Sequence, residues 1–158
     1  MTEDRRRGRI LGLDVGQRRI GVAVSDPDRR FALPLHSVDR KRGNEMQAIV
    51  DVVRADEIDE VVVGLPISLS GEHGPQAATT RAFADELARY LSLPVHLWDE
   101  RLSTREAERL VSDEHRTGSS GRRRAERSRV AAADTDALAA SIILQAYLDS
   151  RRLQDNER

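Results

Sequence analysis

The run Glu60–Leu65 carries Val61-Val62-Val63, three β-branched residues with no polar alternation. Such a segment has no face to give to water, so it reads as a strand buried on both sides. A strand of this kind needs a sheet with helices packed on both faces. The neighbouring segments supply them. Asn44–Ala55 sets Met46, Ile49, Val50 and Val53 at the spacing of one helical face, with Gly43-Asn44 as its start. Gln76–Leu91 does the same with Phe83, Leu87, Tyr90 and Leu91. Pro94–Trp98 is the next strand, stopped by Asp99-Glu100.

Upstream, Ile10–Asp14 and Ile20–Ser25 flank Gly16-Gln17-Arg18-Arg19 and read as a tight hairpin, followed by a third strand over Phe31–Val38, bent at Pro34. Downstream, Ser103-Thr104-Arg105-Glu106 has the form of a capping box, predicting a helix to about Glu114. A last helix spans Asp134–Ser150. The expectation is one α/β domain over residues 1–158, with a core of about residues 9–150. Its sheet is mixed, an antiparallel meander followed by parallel strands, with helices on both faces. Residues 1–8 and 151–158 are expected to be flexible tails, and 115–130 a mobile Arg-rich loop.

Composition removes several kinds of chemistry. The chain has no Cys, so disulfides and thiolate zinc sites are excluded. Its four His are well spread, which leaves carboxylates as the ligands for a hard cation. No apolar run approaches the roughly 18–20 residues of a membrane span. The charged start MTEDRRRGRI lacks the apolar stretch of a secretory signal, so a cytoplasmic protein is expected. Net charge is −1, which gives no bulk attraction to nucleic acid. The 26 basic residues are all Arg except Lys41, and they cluster at Arg5 to Arg9 and at Arg122, Arg123, Arg124, Arg127 and Arg129. Such clusters bind phosphates locally or form solvated segments, and a biased genome also enriches Arg.

Three acidic residues stand in unusual places. Asp14 ends an apolar strand and shares a face with Ile10 and Gly12. An Asp there marks a turn or cap, or else a carboxylate at the mouth of a central strand. Glu100 shares strand parity with His96 and Trp98, whereas Asp99 goes with Val95 and Leu97. At about 100° per residue, Asp136 falls on the apolar face of its helix, with Ala139, Ala140, Ile143 and Tyr147. Asp134 points the other way and fits an N-cap. A carboxylate on an apolar face needs a cation, either a metal or one of the many arginines. The small Ala139 and Ala140 allow that helix to approach the sheet closely. Three carboxylates without Cys or clustered His suit Mg²⁺ or Mn²⁺.

Gly12-Leu13-Asp14-Val15-Gly16 with Arg19-Ile20-Gly21-Val22-Ala23-Val24-Ser25-Asp26 resembles the opening of the YqgF, or RuvX-like, family. So do Val63-Gly64-Leu65-Pro66 with Gly71, the run Asp99-Glu100-Arg101-Leu102-Ser103-Thr104, and Asp136-Ala137-Leu138-Ala139-Ala140 continuing to Leu148. The match spans about Arg9 to Leu148. The resemblance implies a ribonuclease H-like fold with a five-stranded sheet. It implies a nuclease that matures the 5′ end of pre-16S ribosomal RNA, or a resolvase-like enzyme on branched DNA. It places the acidic triad, catalytic and metal-binding, on Asp14, Glu100 and Asp136. Arg18, Arg19, Arg101 and the cluster at Arg122–Arg129 become candidate nucleic-acid contacts. The family's Lys-rich stretch before the last motif is Arg-rich here and contains Glu126.

Two other readings follow from the same residues. Asp14-Val15-Gly16 with Gly21 resembles the phosphate motif of actin-like and sugar-kinase ATPases, but these need two lobes and the chain has room for one. A non-catalytic factor in ribosome assembly is the other. Trp98 and Tyr147 are candidates for base stacking or for core packing. A monomer suits an RNA-end nuclease, and a homodimer a two-fold junction.

Overall fold

The computed structural model describes residues 7–67, 71–102 and 134–158. The capping box at Ser103, the helix expected to Glu114 and the arginines at 122–129 lie outside these residues. The described elements follow the expected order. Strands β1 (Arg9–Val15), β2 (Arg19–Ser25) and β3 (Ala32–Asp39) form the meander, closed by a 3₁₀ turn at Arg40–Arg42. Helix α1 (Glu45–Ala55), β4 (Ile58–Leu65), α2 (Pro75–Leu91) and β5 (Val95–Asp99) come next, and α3 (Thr135–Asn156) is last.

The sheet has five strands in the order β3-β2-β1-β4-β5. β1 pairs antiparallel with β2, and β2 with β3, while β1, β4 and β5 run parallel. β4 is thus an inner strand, as its unbroken valines require: Val61, Val62 and Val63 have no exposed surface. Strand alternation divides the core in two. Leu11, Leu13, Val22, Val61 and Val63 pack with Ile49 of α1 and with Phe83 and Leu87 of α2. Ile10, Ala23 and Val62 on the other face pack with Ala140, Ile143, Leu144 and Tyr147 of α3.

α3 lies unusually close to the sheet because glycines floor its path. A Cβ on Gly12 would stand 2.7 Å from the Leu144 Cβ, and one on Gly21 only 1.9 Å from the carbonyl oxygen of Asp136. The helix is anchored further along by Tyr147. Its hydroxyl donates to Glu60 Oε2 at 3.1 Å, and its ring meets Trp98 edge-on at 5.7 Å between centroids. Both aromatics therefore serve packing.

Three local expectations change. Residues 100–102 are already helical, ahead of the start expected at Ser103, and Asp99 Oδ1 accepts from the Arg101 N–H at 3.0 Å. α3 does not stop at Ser150 but continues to Asn156, tied by the Gln145–Asp149 hydrogen bond and the Asp149–Arg152 ion pair. Tyr90 is 60% exposed, because the buried stripe of α2 runs through Thr80, Ala84 and Leu87 toward Leu91 and passes it by. No described helix is long and apolar enough to cross a membrane.

The contact over Gly21 yields a prediction. Gly21→Ala forces the backbone of α3 away from β2 and should cost about 2–3 kcal/mol in urea unfolding. A loss below about 0.5 kcal/mol would mean that the helix does not sit this close.

Candidate functional site

Asp14 lies one residue from the end of β1, on the face covered by α3, and its cross-strand partner is Gly21. Leu13 pairs with Val63 and Val63 with Leu97. One step further along the parallel strands, Asp14, Gly64 and Trp98 therefore stand in a row, with Glu100 just beyond the end of β5. This is the carboxyl end of the parallel strands, where open α/β sheets place their ligands. Gly64 makes room, since a Cβ there would sit 2.9 Å from Glu100 Oε1.

Asp14 and Glu100 stand within hydrogen-bonding reach of each other. Two carboxyl groups share a hydrogen bond only when one carries a proton. Burial raises both groups above the ordinary carboxylate range. For Glu100 the charge of Asp14, the hydrogen bond to it and the charge of Asp99 add to burial, and its pKa is pushed up to about 7. For Asp14 the hydrogen bond from Glu100 works against burial, while the charge of Asp136 acts with it. With its pKa pushed up to about 7, Glu100 gains and loses its proton around neutral pH.

Asp136 opens α3 directly over Gly21, the partner of Asp14. Its carboxylate is held by Arg19, Nε to Oδ2 at 2.9 Å. The structure thus joins two of the three expected carboxyls and stands the third beside them. Among the described residues, no three Asp, Glu or His side chains form a ready metal cage. The donor set still fits a hard divalent cation: all oxygens, partly buried, with a proton to release on binding.

The neighbouring acids have other partners. Asp99 receives Arg101 in a fork, with Nη2 to Oδ2 at 2.6 Å and Nε to Oδ2 at 3.0 Å, and this pairing holds its pKa below the usual value. Asp134 is the N-cap of α3 and accepts from the Ala137 N–H at 2.7 Å. Burial pushes its pKa up, but hydrogen bonds from Ala137 and Ser37 outweigh it and leave a net lowering.

Of the candidate nucleic-acid contacts, Arg18 and Arg19 are exposed at the tip of the β1–β2 hairpin. With Asp39 and Lys41 they line an open cleft of about 280 Å³. Lys41 was not among the residues singled out from sequence, and its place in the 3₁₀ turn explains why: nothing local links it to the hairpin. The Arg101 fork faces Asp99, and its Nη1 faces Gly71. Arg122, Arg123, Arg124, Arg127 and Arg129 fall outside the described residues. Gly21 and Gly64 were also not singled out for the site, although glycine inside a strand is a signal of close approach.

Comparisons with known proteins agree with this architecture. A family profile described as "RuvX: Holliday junction resolvase" matches residues 8–150. A Chloroflexus aurantiacus protein named "Putative pre-16S rRNA nuclease" is 44% identical over 148 residues, covering 93% of this chain and 90% of its own. A protein of the same name from an Anaeromyxobacter species is 45% identical over 144 residues, covering 90% of this chain and 98% of its own. Among solved structures, Thermus thermophilus RuvC in complex with Holliday junction substrate superposes with a TM-score of 0.61 at 15% identity, over 93% of this chain and 96% of that one. The fold is thus the ribonuclease H-like fold of RuvC.

The raised pKa of Glu100 has a measurable consequence. A carboxyl whose folded pKa exceeds its ordinary value, here about 7 against 4.5, favours folding only while protonated. In EDTA, its contribution should be full below about pH 4.5 and fall away as pH rises through about 7. Glu100→Gln should therefore gain stability relative to the parent across that window, reaching its largest advantage above about pH 7. Urea unfolding of both proteins at several pH values checks this. A difference that does not vary with pH would exclude the shared proton.

Proposed function

We propose that this chain, which belongs to the RuvX family by its match over residues 8–150, is a cytoplasmic metal-dependent nuclease that hydrolyses phosphodiesters in structured nucleic acid. The observation that carries the reading is the partly buried Asp14–Glu100 carboxyl pair at the ends of the parallel strands, with Asp136 beside it. Burying two acids side by side is unfavourable, and a fold that does so holds a site for a cation or a proton. Asp14, Glu100 and Asp136 are the residues that would hold Mg²⁺ or Mn²⁺. When bound, the cation supplies Lewis acidity to the reacting phosphate.

The other steps belong to the chain. Glu100 gives up its proton as the site fills, which leaves a carboxylate to orient the water. Arg18 and Arg19, and by their sequence the arginines at 122–129, hold the phosphate backbone, so binding should weaken as salt rises. The substrate reading is the 5′ end of pre-16S rRNA, supported by the names of the relatives at 44% and 45% identity. The family description favours a second reading, a four-way DNA junction. A monomer serves the first, and the two-fold symmetry of a junction calls for a homodimer in the second.

Cleavage of a labelled rRNA precursor fragment and of a four-way DNA junction, each with Mg²⁺, Mn²⁺ or EDTA, separates these. We expect metal-dependent cutting of the rRNA fragment. Asp14→Asn should lower it by at least about 10³-fold, a loss of about 4 kcal/mol of transition-state stabilisation, with the fold retained by circular dichroism. Cutting that survives this change, or continues in EDTA, would overturn the metal-dependent reading. Binding of both substrates without cutting of either would move the chain to a non-catalytic role in ribosome assembly.

A further inference from the structure

We propose that Arg19 is a built-in counter-cation for the metal site. It holds Asp136 until a divalent ion claims that carboxylate, and the freed guanidinium then joins Arg18 and Lys41 to grip a phosphodiester. The inference rests on the reading of Asp14, Glu100 and Asp136 as metal ligands.

The geometry of the pair points this way. Arg19 reaches Asp136 Oδ2 through Nε at 2.9 Å, and its side chain is 65% exposed against 31% for Asp136. A cation held by the acids would compete with Arg19 for the Asp136 carboxylate. An exposed ion pair contributes little stability, so releasing Arg19 is easy. What Arg19 leaves behind is fixed. The Gly16 N–H donates to the Arg19 carbonyl at 2.9 Å, and the Arg40 N–H to the Arg18 carbonyl at 2.9 Å. The side chain swings from an anchored hairpin.

Its destination is also built. The cleft of about 280 Å³ beside the pair is lined by three cations, Arg18, Arg19 and Lys41, against one acid, Asp39. The Asp39 carboxylate is partly engaged as the acceptor for the Lys41 backbone N–H at 2.9 Å. Among the described residues neither Arg18 nor Lys41 has an ion-pair partner. An anionic ligand of repeated phosphates fits that balance, and Arg offers it a two-pronged contact. Metal and phosphate backbone then favour each other, because each relieves the pairing that the other must break, and the coupling is reciprocal.

The test titrates Mg²⁺ alone into the full metal-free chain by calorimetry, for the parent, Arg19→Gln, Arg18→Gln and Asp14→Asn. Arg19→Gln should bind Mg²⁺ about three- to tenfold more tightly, since a charge-assisted contact to Asp136 no longer competes. Arg18→Gln removes the same charge one residue away and should stay within about twofold of the parent. A damaged fold would weaken metal binding, so a gain cannot come from structural loss. A second measurement follows a fluorescent single-stranded oligonucleotide in Ca²⁺ and in EDTA. Ca²⁺ should tighten its binding to the parent more than to Arg19→Gln. Equal gains in Mg²⁺ affinity for the two Arg variants would overturn a specific role for Arg19. Unchanged or weaker affinity in Arg19→Gln, with Asp14→Asn still losing the metal, would overturn the proposal and leave the metal site standing. No Mg²⁺ binding to the parent would remove the metal reading and this proposal with it.

Discussion

The backbone of Asp136 rests on Gly21, where a side chain would leave only 1.9 Å between its Cβ and the helix carbonyl. Gly21 is also the cross-strand partner of Asp14. One contact therefore sets how deeply α3 docks, and it sets which two acids become neighbours. Gly12 extends the same floor toward Leu144, and Gly64 opens the space that the Glu100 side chain fills. Close packing and acid placement are the same arrangement seen from two directions. A sheet with ordinary side chains at these positions would lift the helix and carry Asp136 out of reach.

That arrangement concentrates negative charge where water is scarce. The structure relieves it in three ways. Glu100, its pKa pushed up to about 7, can hold a proton toward Asp14. Asp136 is neutralised by Arg19. Asp99, the next acid along, is turned to the opposite side and clamped by Arg101. Each device is local, unlike a buried ion pair locked in the core, and at Glu100 and Asp136 it leaves oxygen atoms that a cation can recruit. On the proposed reading, the site exchanges a proton and an arginine for a divalent ion.

Much of this was legible before any coordinates. The unbroken valines of β4 demanded an inner strand, and strand parity set Glu100 with His96 and Trp98 and Asp99 with Val95 and Leu97. Helical periodicity put Asp136 on the sheet side and made Asp134 the cap. What stayed hidden depends on partners distant in sequence. The role of Gly21 is defined by a helix more than a hundred residues later, and no local pattern announces that meeting. The grip of Arg19 on Asp136 is hidden for the same reason. Residues 100–102 turn helical ahead of Ser103 because the Asp99 side chain accepts from the Arg101 N–H. The six residues after Ser150 lack apolar periodicity, yet hydrogen bonds and ion pairs between neighbouring turns carry the helix on to Asn156.

The place of α3 in the chain also bears on how the protein is made. Its apolar stripe covers the β1, β2 and β4 face that holds Ile10, Ala23 and Val62. Those strands leave the ribosome long before residue 135 is added, and domains fold as units only when their parts are present. Until then Ile10, Ala23 and Val62 lack the α3 side chains that bury them. A nascent chain in this condition is open to chaperones and to sticky encounters with its own copies. On the proposed reading it also cannot yet cut, because Asp136 is not in place. For a protein whose proposed substrate lies in ribosome precursors, activity on this reading would begin only once residue 136 has been made and α3 has docked.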